Sequence, residues 1–156
     1  MDLKKIVFAA CFLFLILISF GVKLIEFDNP FSGFHQVRQL DNLAAIEGYF
    51  LEGIELKKRV VTGNYIVLEL PIYQALVAYL SSSLDDVLFF ARSVNLVFAF
   101  LSIFLIFKIS EILFDFKTAV YATLFFAFAP LNLSYHRGVM MDISSVFFCL
   151  AATWLL

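Results

Sequence analysis

The run Tyr65-Ile-Val-Leu-Glu-Leu-Pro-Ile-Tyr-Gln-Ala-Leu-Val-Ala-Tyr-Leu80 decides how this chain is laid out. If it crosses a bilayer, the segments before and after it face opposite sides. If it does not, they face the same side. Pro71 suits the first turn of a helix, where its missing N–H would be unpaired anyway. From Leu70 to Leu80, just before Ser81-Ser82-Ser83, only Gln74 interrupts an apolar run of about a dozen residues, too short to cross ~30 Å of hydrocarbon. The run therefore reads as an interfacial or half-inserted helix, not a span.

Upstream lies His-Gln-Val-Arg-Gln-Leu-Asp-Asn-Leu-Ala-Ala-Ile-Glu-Gly-Tyr-Phe-Leu-Glu-Gly, His35 to Gly53. Wound as a helix at roughly 100° per residue, it is two-faced. Leu40, Leu43, Ala44, Ile46, Phe50 and Leu51 fall on one side, with Gln39 and Glu47 as intruders. Arg38, Asp41, Asn42, Tyr49 and Glu52 fall on the other, and Gly53 is placed to end the helix with a left-handed cap. Such a helix is expected to lie in a membrane interface with Asp41 turned to water. An amphipathic connector with a solvated polar face is the simpler alternative. Further upstream, Lys4 and Lys5 precede an uncharged run from Ile6 to Val22. It is long for the core of a signal peptide, and Ser19-Phe20-Gly21 is a poor cleavage site, so it reads as a retained first span.

Downstream, Val87 to Ile112 has an uncharged centre, with Arg92 and Lys108 near its ends where long side chains can reach water. Phe114-Asp115-Phe116-Lys117 makes a tight turn. Thr118 to Tyr135 follows as an uncharged run carrying Pro130 near its end. His136-Arg137-Gly138 and Asp142 form a short loop before a last apolar run. The expectation is an all-α, multi-pass membrane protein forming one unit over 1–156. Its spans cover about 6–24, 87–112, 118–135 and 143–156, with a long outer loop, about 25–86, bearing the interfacial helices. The last span stops mid-membrane, so the chain is expected to be the amino-terminal part of a longer protein. The basic start and the two lysines of the 108–117 connection are placed inside. Asp41, Glu69 and Asp142 then share the outer face.

Composition agrees with that layout. The chain is 63% hydrophobic and 15% charged, with 21 Phe among 156 residues, which excludes an ordinary water-soluble domain. A net charge of −2 gives a nucleic-acid partner no electrostatic support. Cys11 and Cys149 both fall in apolar runs and read as small buried hydrophobes. Three carboxylates on one face, with arginines beside them, are a set that can handle a divalent cation and a phosphate together. A solvated acidic loop accounts for the same residues without chemistry.

The order of motifs carries more. A first span is followed by His-x-x-Arg-Gln-x-Asp (His35, Arg38, Gln39, Asp41), then Ala-Ala-Ile-Glu-Gly-Tyr-Phe and Glu-Leu-Pro-Ile-Tyr (Glu69 to Tyr73). After a short-looped helix pair comes Ala-Pro-Leu-Asn-Leu-Ser-Tyr-His-Arg-Gly-Val-Met-Met-Asp, ending at Asp142. This resembles the amino-terminal part of GT-C superfamily glycosyltransferases, such as the protein mannosyltransferases and the lipid A aminoarabinose transferase, over nearly the whole chain.

The resemblance implies an enzyme of the plasma membrane, active face outward. It would move a sugar from a polyprenyl-phosphate donor to a lipid, glycan or protein acceptor, inverting the anomeric centre. It makes Asp41 the general base and Arg38 and Arg137 the donor-phosphate contacts. Glu69 matches an acidic residue that holds a divalent metal ion in some members, and Asp142 matches the second acidic position. Leu70 departs from the pattern where some members carry a basic residue, and Leu40 and Asn42 replace small or polar neighbours of the aspartate. The rival readings are a transporter and a non-catalytic membrane assembly subunit; the first predicts polar or broken span centres.

Overall fold

A computed structural model describes residues 3–25, 35–54, 58–59, 65–66, 71–135 and 138–156. Seven helices are found among them: α1 (Leu3–Leu24), α2 (Gln36–Glu52), α3 (Ile72–Leu80), α4 (Val87–Leu113), α5 (Phe116–Phe128), α6 (Pro130–Tyr135) and α7 (Asp142–Leu155). Two short strands, β1 (Lys58–Arg59) and β2 (Tyr65–Ile66), pair antiparallel, with Lys58 opposite Ile66. The all-α expectation holds.

The number of crossings is not supported in the same way. Among the described residues only α4 is long and apolar enough to cross a bilayer; Ala10–Leu24, Phe116–Phe128 and Asp142–Leu155 are shorter apolar helices. Nor is the run from 118 to 135 one helix. It ends at Phe128 and restarts at Pro130, because proline cannot donate the N–H that would carry the ladder through. The carbonyls freed at this break are satisfied by side chains. Asn132 Nδ2 donates to Phe126 O at 2.8 Å, and Ser19 Oγ and Lys23 Nζ of α1 donate to Ala127 O at 2.8 and 3.1 Å. Lys23 is fully buried there, and its ammonium also donates to Ser19 Oγ.

Ring contacts fix how the apolar helices run. Phe12 meets Phe107 and Phe20 meets Phe100, so α1 runs antiparallel to α4. Phe98 packs on Phe147 and Phe148 of α7, while Asn95 lies beside Gly138, so α7 runs parallel to α4. α5 returns from α4 through a two-residue turn. There Asp115 accepts from the Thr118 N–H at 2.9 Å, the cap expected of Asp at a helix start. Hydrogen bonds to Thr118, more than any charge, hold the Asp115 carboxyl below its ordinary range.

One end of the molecule thus gathers the end of α1, the start of α4, the α5–α6 break and the start of α7. α2 and α3 pack on this end, and Ile46, Tyr49, Tyr73, Val77, Val87, Ala91, Val139, Met141 and Ile143 close around one core. The opposite end carries the Lys108–Glu111 pair, Asp115 and Lys117. α3 has only nine residues and is packed against α2 and α4. It is not a span, as its length predicted. Pro71 precedes it at the cap position, not inside its first turn.

Three smaller expectations are corrected. Arg92 does not reach outward from a helix end; it is 4% exposed, turned inward beside Tyr73. Cys11 and Cys149 are exposed rather than buried, because each lies on the outward side of its helix. Gly53 takes a positive φ of 92°, but with an extended ψ of 169° instead of the left-handed cap.

Candidate functional site

α2 sets the geometry, and part of the side expected in water is turned into the protein. Gln39, Asn42, Ala45, Ile46 and Tyr49 are its buried residues. Leu43 and Phe50 pack at the edge of the core. Leu40 and Leu51 face out together with Val37, which is 73% exposed. Asn42 and Tyr49, expected in water, are inside. The reason is the partner. α2 packs on the Gly138–Met141 segment and on α3, and these present backbone carbonyls and an amide that only polar side chains can satisfy.

Those bonds form a buried seam. Asn42 Nδ2 donates to Val139 O at 3.0 Å, and Asn42 Oδ1 accepts from Gln74 Nε2 of α3 at 2.8 Å. The Val139 N–H donates to Gln39 Oε1 at 3.3 Å, and Asn95 Nδ2 of α4 donates to Gly138 O at 2.8 Å. Beside it, Tyr73 donates its hydroxyl to Ala91 O at 3.0 Å. Burial pushes this phenol well above its ordinary range, against the opposing pull of the Arg92 charge and a hydrogen bond with Asn95. Four amide side chains from α2, α3 and α4 therefore fix one irregular segment, the one that delivers Asp142.

Next to the seam the site opens. Arg38 and Asp41, with His35, Gln36 and Val37, line an open recess of about 540 Å³ at the start of α2. His35 enters it in a left-handed conformation, φ 67°, which a non-glycine residue adopts only at a cost. Arg38 reaches across to the start of α7, where Nη1 lies 3.4 Å from Asp142 Oδ1. Asp142 Oδ2 is buried and has no hydrogen-bond partner among the described residues. On its other side Asp142 borders a more apolar groove of about 330 Å³, lined by Phe126, Ala129, Leu131, Asn132, Ile143 and Val146. The α5–α6 break forms one wall of that groove.

Three of the five expected site residues, Arg38, Asp41 and Asp142, are thus at one end of the molecule, and two of them are in contact. Glu69 and Arg137 lie outside the described residues. Among the described residues no three His, Cys, Asp or Glu side chains converge on a metal position. Asp142, one of the two residues expected to hold a metal, is engaged with a guanidinium, and the other, Glu69, lies outside the described residues. The residues that position the site were missed at the level of sequence. Their signal was present: Gln74 and Asn95 each stand as polar side chains in apolar helical runs, where they must find a partner.

No family model, no curated protein and no solved structure matches this chain.

Proposed function

We propose that the chain belongs to a membrane glycosyltransferase of the GT-C type, taking a sugar from a polyprenyl-phosphate donor at the outer face of the plasma membrane. The observation that carries this reading is the Arg38–Asp142 contact beside Asp41. It joins the first and the last motif of the resemblance, far apart in the sequence, beside the recess that Arg38 and Asp41 line. Large apolar side chains exposed on several helices, among them Phe14, Leu17, Phe89, Phe104 and Phe125, support a hydrocarbon surrounding for α1, α4, α5 and α7. In that setting the outward stripe of α2, Val37, Leu40 and Leu51, rests in the interface.

In the reaction so assigned, the acceptor hydroxyl attacks the anomeric carbon while its proton passes to the Asp41 carboxylate. The bond from that carbon to the phosphate oxygen breaks, and the phosphate leaves with the electron pair. Arg38 suits the departing charge, since a guanidinium meets two phosphate oxygens at once. Arg137, on the same connection as Asp142 in sequence, is a second phosphate contact in this scheme.

Asp41→Asn in the intact protein tests the assignment, because the amide fills the same space and cannot take the proton. Turnover on a panel of polyprenyl-phosphate sugars should fall on the order of 10²–10⁴-fold, the usual contribution of a positioned base. Glu52→Gln, about three turns along the same helix, should change it little. Activity of Asp41→Asn within a few-fold of the parent would return α2 to the role of a connector.

A further inference from the structure

The contact between Arg38 and Asp142 has the character of a placeholder. At 3.4 Å it is longer than a charge-assisted hydrogen bond, it uses one nitrogen and one oxygen, and the side chains are 43% and 37% exposed. Water screens such a pair, and its net contribution is small. The backbone around it is held by other means, since Gln39, Asn42 and Asn95 bind Gly138 and Val139 directly. Side chains can therefore exchange here without moving α2 or the segment before α7. Arg38 also borders the recess, which Asp142 does not line, and its side chain is 43% exposed, so the guanidinium is reachable by a ligand there.

We propose that Asp142 competes with a phosphate group for Arg38, so that the unliganded site is self-paired and an incoming anion displaces the carboxylate. This rests on reading Arg38 as the phosphate contact. A phosphate can engage two guanidinium nitrogens, where the carboxylate now engages one, so it is the stronger partner once it arrives. Until then the carboxylate shields the arginine and repels anions. Asp142 thereby acts against phosphate binding, the opposite sign from a residue that recruits the phosphate through a bridging cation.

Binding of inorganic phosphate and of dodecyl phosphate to the full chain in neutral detergent micelles, followed by calorimetry, tests that sign. Asp142→Asn should tighten both ligands about fivefold, by removing an exposed competitor and its repulsion. The gain should shrink in molar salt and vanish when Arg38→Gln is added. Asp142→Ser repeats the measurement without an amide, should the first variant fold poorly. Weaker or unchanged phosphate binding in a folded Asp142 variant overturns the competition, as does a gain that survives Arg38→Gln.

The two ligands separate the sources. Preference for dodecyl phosphate assigns the anion to a lipid headgroup and equal affinity to a soluble phosphate, with the sign of the Asp142 effect supporting or overturning the competition in either case. Transfer activity without this effect would sink the competition alone. The effect without transfer activity would sink the glycosyltransferase reading alone.

Discussion

Helix α2 meets the connection into α7 twice, and the two meetings differ in kind. Gln39 and Asn42 bind Val139 from within the core, both less than 5% exposed. One turn away, Arg38 meets Asp142 across a half-exposed gap. The buried contact uses neutral amides on backbone groups that have no water to fall back on, so breaking it leaves orphaned polar atoms. The other contact uses full charges on side chains 43% and 37% exposed, so water can take over much of what breaking it removes. The stronger charges make the weaker link. This division lets one helix hold a segment still and keep a guanidinium free to change partners.

The contrast breaks most visibly at Asn42. Asn42→Leu leaves both Val139 O and Gln74 Nε2 without their partner, each loss costing ~1–3 kcal/mol, so destabilisation on the order of 2–5 kcal/mol is expected. Denaturant unfolding in detergent would read it, and a loss below ~1 kcal/mol would mean the seam is not what fixes the connection.

A milder disturbance comes from Gly138→Ala. An added Cβ would lie 3.2 Å from Cδ and Oε1 of Gln39 and 3.3 Å from Cγ of Met140. Both neighbours are flexible side chains, and Gln39 would give way at the expense of its bond to Val139. A loss of about 1 kcal/mol is expected, and none at all would show that Gln39 is dispensable to the seam.

The smallest effect belongs to the ion pair. Arg38→Gln should shift the same unfolding transition by less than ~1 kcal/mol, whatever it does to anion binding. A larger shift would erase the distinction between a holding contact and an exchanging one. Read beside Asn42→Leu, it measures how far the two meetings of α2 with one segment are independent.

Much of this was legible in the residues. Uncharged runs marked α1, α4, α5 and α7. The turn at 114–117 marked the end of α4, and the short apolar stretch after Pro71 excluded a crossing there. From that exclusion and the count of the other apolar runs, Asp41 and Asp142 were expected on a common side of the membrane, and the fold brings both to one end of the molecule. These signals are local, because a helix start, a break or a length is written within a few neighbouring residues. What the sequence could not determine was which way α2 turns. Its hydrophobic pattern put Leu40 and Leu51 in lipid and Asn42 in water; the fold leaves the leucines exposed but turns Asn42 inside, because the surface α2 meets is made of the carbonyl and N–H of Val139 and the amide of Gln74. Backbone carbonyls are the same in every residue and leave no mark on a sequence. Only the tertiary structure, by bringing residue 138 beside residues 39 and 95, decides that polar side chains belong inside and that Arg38 faces Asp142.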